Sequence, residues 1–158
     1  MRRTMKKNQG FTLVELIIVI SVIAVLAAVA IPNFLRVKVH SNESAAVGNL
    51  RTMSSAAEAF RSTQNPPAYA ASFDVMVNTN PSYLDSAWTS GPRQGYVFTY
   101  SVAGDNSTFS TTALPQFPNI SGVNSYCVDQ TGVVRRYPPG GGGAENATGC
   151  NIANGIPI

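Results

Sequence analysis

Three patterns of apolar and polar positions follow one another along the chain. From Phe11 to Ile31 every position is apolar except Thr12, Glu15 and Ser21. At 1.5 Å of rise per residue that run makes a helix of roughly 30 Å, about the thickness of a bilayer core. Past Pro32 the apolar positions thin to a stripe, Val39, Ala46, Leu50, Met53, Ala57 and Phe60, with Ser44, Arg51, Ser55, Glu58 and Ser62 off it. Spacings of three, four and seven mark one face of an amphipathic helix. Beyond residue 95 the period falls to two, the signature of strands.

These patterns predict one helix from Phe11 to about Thr63, about 80 Å long, whose first half suits lipid and whose second half lies on a head. Pro32 lacks a donor and crowds the preceding turn, so the helix is expected to kink or locally melt there and then resume. Gly48 weakens the second half by about 1 kcal/mol relative to Ala, and Asn65-Pro66-Pro67 ends it. Residues 64–94, with Pro66, Pro67, Pro81 and Pro92, read as a long connecting loop with one helical turn near Phe73 to Val77. Tyr83, Leu84 and Trp88 are expected to tuck against the head. Gly95–Val102 and Ser107–Thr112 flank Gly104-Asp105-Asn106, and Ser125–Val128 and Val133–Tyr137 flank Asp129-Gln130-Thr131-Gly132. Each pair is a hairpin signal. The expected fold class is therefore α+β, a long N-terminal helix whose Ala46 to Phe60 stripe covers one face of a roughly four-stranded antiparallel sheet. Pro138-Pro139 and Gly140 to Gly143 form a loop before the C-terminal stretch.

Charge changes the picture only when it is divided. The formal net charge is +3, but Arg2, Arg3, Lys6 and Lys7 supply four of the eleven basic residues, leaving seven against eight acidic ones beyond residue 10. The positive N-terminus argues that it stays cytoplasmic, and the near-neutral remainder gives no support to a nucleic-acid surface. Charged residues are only 12% of the chain, which suits an extracytoplasmic protein. Cys127 and Cys150 are the two cysteines, and two thiols on the translocated side of a membrane usually pair. Closing a loop of about 24 residues in this way contributes roughly 3 kcal/mol in the chain-entropy model.

Glu15 is the anomaly. A carboxylate in hydrocarbon costs about 2.5–3.5 kcal/mol and calls for a partner, yet no Lys or Arg lies between Lys7 and Arg36. Cutting between Gly10 and Phe11 would create a cation, a free α-amine with a pKa of about 7.7–8.0. That amine could meet Glu15 four residues on in the same helix or in a neighbouring copy. The basic segment, the Gly10 to Phe11 junction, Thr12-Leu13, Glu15 fifth after the cut, the unbroken apolar run and Pro32 together resemble the type IV pilin family, whose class III signal sequence is shared with the pseudopilins of type II secretion. An ordinary secretory signal with a site near Ala28-Val29-Ala30 fits less well, because the apolar run is long and carries an acid. A plain single-pass anchor leaves Glu15 unexplained.

The resemblance implies a type IV pilin-like fold and a domain division. Residues 1–10 would be a leader removed on maturation, 11–35 the transmembrane and filament-core half of the helix, and 36–158 the head. Within the head, 36–63 is amphipathic helix, 64–94 the connecting loop, 95–137 the sheet and 138–158 the disulfide-bounded region. It further implies cleavage after Gly10 and N-methylation of Phe11 by a prepilin peptidase/N-methyltransferase, delivery by an inner-membrane assembly platform, and a homopolymer in which Glu15 meets the Phe11 amine of a neighbour. A pseudopilin acting as a periplasmic piston is the alternative within the family, and a membrane-tethered binding module the alternative outside it. No catalytic residue and no cofactor is expected: the one histidine, His40, has no nucleophile motif beside it, and Gly140 to Gly143 has no following Lys-Ser/Thr. Asp105, Asp129 and Glu145 lack metal-ligand spacing, so no metal is expected. Arg135-Arg136 reads as solvated strand residues. The sequons at Asn106, Asn119 and Asn146 are discounted, because the leader is prokaryotic in type.

Overall fold

The computed structural model describes residues 10–139, 150 and 155–158. Helix α1 (Leu13–Thr63) runs through Pro32 without interruption, so the chain does not melt there even though Pro32 offers the Ala28 carbonyl no N–H. The chain divides into two compact units between Arg36 and Val37. The first is helical and leaves its apolar side chains uncovered, with Leu13, Ile18, Leu26 and Phe34 all more than half exposed.

Among the described residues the second unit contains the rest of α1, a short helix α2 (Phe73–Asn78), a 3-10 turn at Ser86–Trp88, and five strands: β1 (Tyr96–Val102), β2 (Phe109–Pro115), β3 (Ser125–Asp129), β4 (Arg135–Tyr137) and β5 (Ile156–Pro157). They form one antiparallel sheet in chain order. The expected four strands are present, and the fifth is a correction. Ile156-Pro157 is too short to show a period of its own and is a strand because Arg136 pairs with Ile156 and Arg135 with Pro157. The loop expected over Gly140 to Gly143 lies outside the described residues.

The stripe on α1 buries as its spacing requires. Ala46 and Leu50 pack with Tyr96, Ala113, Tyr126, Val128 and Val134. One turn further on, Met53, Ala57 and Phe60 pack with Met76, Leu84, Trp88 and Phe109. Edge-on ring pairs tie the loop after α1 to α1 itself, Phe60 with Tyr83, and to β1, Trp88 with Phe98, so Leu84 and Trp88 belong to the core and Tyr83 packs against it. Backbone bonds hold the same loop at Tyr69, whose N–H donates to Asn106 O at 2.9 Å, and at Tyr83, whose N–H donates to Met76 O at 2.9 Å.

Glu43 occupies the stripe position between Val39 and Ala46 and is buried. Its Oε1 accepts from the backbone N–H of Val123 at 2.9 Å, the backbone N–H of Asn124 at 3.1 Å and Asn124 Nδ2 at 3.1 Å, while His40 Nδ1 lies 3.7 Å from Oε2. A charged acceptor serving three donors stabilises more than a neutral one. Glu43→Ala leaves those part-buried donors without their acceptor and is expected to cost the head about 1–3 kcal/mol in urea unfolding. Glu43→Gln keeps an acceptor and should lose less; equal losses from the two would show that volume rather than hydrogen bonding matters here.

Candidate processing and assembly site

The first turn of α1 is built by Thr12 and Glu15. Thr12 is the cap: its Oγ1 accepts from Glu15 N at 3.2 Å, and in return Glu15 Oε2 accepts from Thr12 N at 2.9 Å and from Thr12 Oγ1 at 2.7 Å. This is a reciprocal capping box, recognisable as Thr-x-x-Glu ahead of an apolar run. In the uncut chain neutral donors on Thr12 serve Glu15, and the Phe11 nitrogen is still an amide. Both bonds fall on Oε2. A carboxylate has a second oxygen, so the box leaves Glu15 able to accept from a further donor.

Ser21, the remaining polar residue of the run, donates its Oγ–H to Ile17 O at 2.7 Å. Thr12, Glu15 and Ser21 thus each find a hydrogen-bond partner within residues 12–21, as a low-dielectric surrounding demands of polar groups. Gly10 has open space around it and Phe11 is 89% exposed, so the junction between them is accessible. The helix is long and apolar enough to cross a membrane.

In the head, Cys127 and Cys150 form a disulfide with Cα atoms 5.8 Å apart, within the ordinary range. Both cysteines cluster with fully buried Tyr137. Asp129 is the residue that sequence reasoning left without a role. Its Oδ1 accepts from Thr131 N at 2.9 Å and Thr131 Oγ1 at 2.6 Å, closing the turn after β3, and its Oδ2 accepts from Cys150 N at 3.1 Å. The Asp-x-Thr turn was legible, but the bond to Cys150 crosses 21 residues and was not.

The remaining candidates are separate from one another. Asp105 caps the β1–β2 turn through Ser107, whose hydroxyl and N–H hold its carboxyl below the usual range, and Glu145 lies outside the described residues. Among the described residues no group of three or more potential ligands gathers. Arg136 is exposed, whereas Arg135 is half-buried, with an Nε that has no partner among the described residues, so only Arg136 matches the expected solvated pair. Arg93 stacks on Trp88 at 4.6 Å and pairs with Asp85 at 3.0 Å, and its hydrogen bond holds the Asp85 carboxyl below the usual range. Burial, with help from Glu58, pushes the Tyr69 hydroxyl up to about 12. Each of these groups already serves packing.

Comparison with known proteins gives a consistent set of relatives. The family model described as the prokaryotic N-terminal methylation motif matches residues 5–31. The type IV major pilin protein PilA of Myxococcus xanthus is 34% identical over 157 residues, covering 90% of this chain and 64% of that protein. The fimbrial protein EcpB of Eikenella corrodens is 30% identical over 119 residues, covering 71% of this chain and 75% of that one. The type IV wide pilus major component PilA4 of Thermus thermophilus is 29% identical over 110 residues, covering 68% and 84%. The chain spans just under two thirds of the Myxococcus protein's length, and no solved structure matches it.

Proposed function

The chain belongs to the type IV pilin family, and from that membership we propose that it is a prepilin held in the inner membrane, processed at Gly10 and polymerised into a pilus on the cell surface. The observation that carries this reading is the uncovered apolar run ahead of Arg36, whose polar residues Thr12, Glu15 and Ser21 each have a local hydrogen-bond partner. Such a surface is stable in lipid or among copies of itself and nowhere else.

In this reading a prepilin peptidase cuts after Gly10 and methylates the new Phe11 amine, which stays basic. An assembly platform in the inner membrane then moves the helix from lipid into a bundle of its neighbours' helices, so its side chains remain dry throughout. Each Val, Leu or Ile fully buried stabilises the apolar environment by about 1.5–3 kcal/mol over water. Glu15 pairs with the Phe11 amine of an adjacent copy and sets the axial register. The head, with its Cys127 to Cys150 loop, forms the outer surface.

Intact mass and N-terminal sequencing of the membrane protein test the processing step. The expected chain starts at Phe11 and carries one added methyl group. Replacing Gly10 with a bulky residue should leave the chain at its full precursor mass. A mature protein beginning at any other residue would refute the assignment.

A further inference from the structure

We propose that the outer edge of β1 receives an extended, basic and apolar segment of a second protein as an added strand, in the cleft between β1 and the loop that carries Phe73 and Trp88. The cleft lies wholly within the second unit, so the inference goes beyond the pilus reading and does not depend on the membrane anchor.

The sheet has two edges, β1 and β5. β5 is two residues long, and its Pro157 has no N–H to offer a further strand. β1 has seven residues, Tyr-Val-Phe-Thr-Tyr-Ser-Val, without the proline or charge that discourages edge pairing. The hydrogen bonds at its two ends fix which way each residue faces. Arg93 N donates to Tyr96 O at 2.8 Å and Tyr96 N to Arg93 O at 2.9 Å, so Tyr96 turns its backbone groups away from β2. On the β2 side, Gln116 N donates to Gly95 O at 2.9 Å and Ala103 N to Thr108 O at 3.0 Å. Alternation between these ends sends the backbone groups of Val97, Thr99 and Ser101 toward β2 and leaves those of Phe98 and Tyr100 facing outward. The N–H and C=O groups of Phe98 and Tyr100 meet no partner among the described residues. They repeat at about 6.8 Å, the interval at which a neighbouring strand exchanges bonds.

Phe98 and Tyr100 line a cleft of about 400 Å³, which Phe73, Asp74, Trp88 and Thr89 line from the loop side. Backbone donors and acceptors at strand spacing select a peptide, and the aromatic lining gives its apolar side chains a place to pack. Asp74 is the charged residue of the lining; it is exposed and makes no ion pair among the described residues. Its carboxylate favours a segment carrying Lys or Arg over one carrying an acid. The loop selects a lone segment over the β1 edge of a second copy. A second copy would bring its own α2 and Trp88 along its own β1, and two such walls would have to share the space beside one strand.

The test uses the full chain in detergent micelles, with a capped Val-Thr-Val-Lys-Val-Thr peptide at millimolar concentration as the probe. In the free chain, amide hydrogen exchange should be fast at Phe98 and Tyr100 and slow at Val97 and Thr99. The peptide should slow exchange at 98 and 100 about tenfold or more and leave 97 and 99 unchanged. The same peptide with its backbone amides N-methylated should not protect them. Exchanging its Lys for Glu should weaken binding about tenfold, whereas Asp74→Asn should weaken the lysine peptide roughly threefold and level the two. Unchanged exchange at 98 and 100 with the lysine peptide, or equal protection by its N-methylated form, would overturn the proposal. So would protection at 98 and 100 that rises with the concentration of the chain alone, which would assign the edge to a second copy.

Discussion

Cells carrying Glu15→Ala should process the precursor normally and yet release no filaments. Two effects separate here by size. Losing the capping box costs about 0.5–2 kcal/mol of local helix stability, in lipid and filament alike, so most of it cancels on assembly. Losing the partner of a buried Phe11 ammonium costs about 3–5 kcal/mol per subunit in the filament alone, because a charge is left unpaired among apolar helices. That loss corresponds to about two to four orders of magnitude in the subunit equilibrium and is repeated at each addition.

Three variants distinguish the causes. Thr12→Ala removes the two bonds of the hydroxyl, leaves the backbone N–H of residue 12 on Glu15 and keeps the carboxylate, so filaments should form near the native level. Glu15→Gln keeps an acceptor for Thr12 and removes the charge, so filaments should be lost as with alanine. Intact mass of the membrane fraction confirms processing in each case, and sheared filaments are quantified by immunoblot and electron microscopy. Native filament yield from Glu15→Gln would eliminate the charge pairing, and loss in Thr12→Ala alone would assign the whole effect to the helix cap.

The second large effect is in the head. Replacing Cys127 and Cys150 together with serine should lower its stability by about 3 kcal/mol, the loop-closure contribution for a bridge of this span. For a head of this size the midpoint of thermal unfolding should fall by about 10 °C. The buried surroundings of the bridge add to the cost, since serine hydroxyls beside buried Tyr137 need partners that sulfur did not. Asp129→Ala should cost less, about 1–3 kcal/mol, because it frees the Cys150 N–H and the Thr131 turn but leaves the covalent tie. Thermal unfolding followed by circular dichroism, with and without reductant, separates the two. A double serine variant as stable as the native protein would show that the C-terminal segment is held by its strand pairing and hydrogen bonds alone.

Much of this architecture was readable because it depends on local period. The Ala46 to Phe60 stripe reports one buried helix face, and alternation from Tyr96 to Val102 reports a strand, since each pattern is imposed by backbone geometry that neighbouring residues share. The special character of residues 10–15 was readable for a different reason: a carboxylate in a long apolar run has few physical explanations. Its hydrogen-bond partner in the uncut chain, Thr12, is also legible as a Thr-x-x-Glu pair ahead of an apolar run.

The sequence by itself determined which stretch must stay out of water, which helix face must be covered, where hairpins turn and which two cysteines can pair, because each follows from covalent order and short-range spacing. Only the tertiary structure decided that Glu43 would anchor the turn 80 residues away, that Asp129 would hold Cys150, that Ile156-Pro157 would complete the sheet, and that Phe117 and Ile120 would be left outside. These outcomes depend on which distant backbone groups are brought within hydrogen-bond reach once the core closes. No period or composition along the chain encodes that proximity.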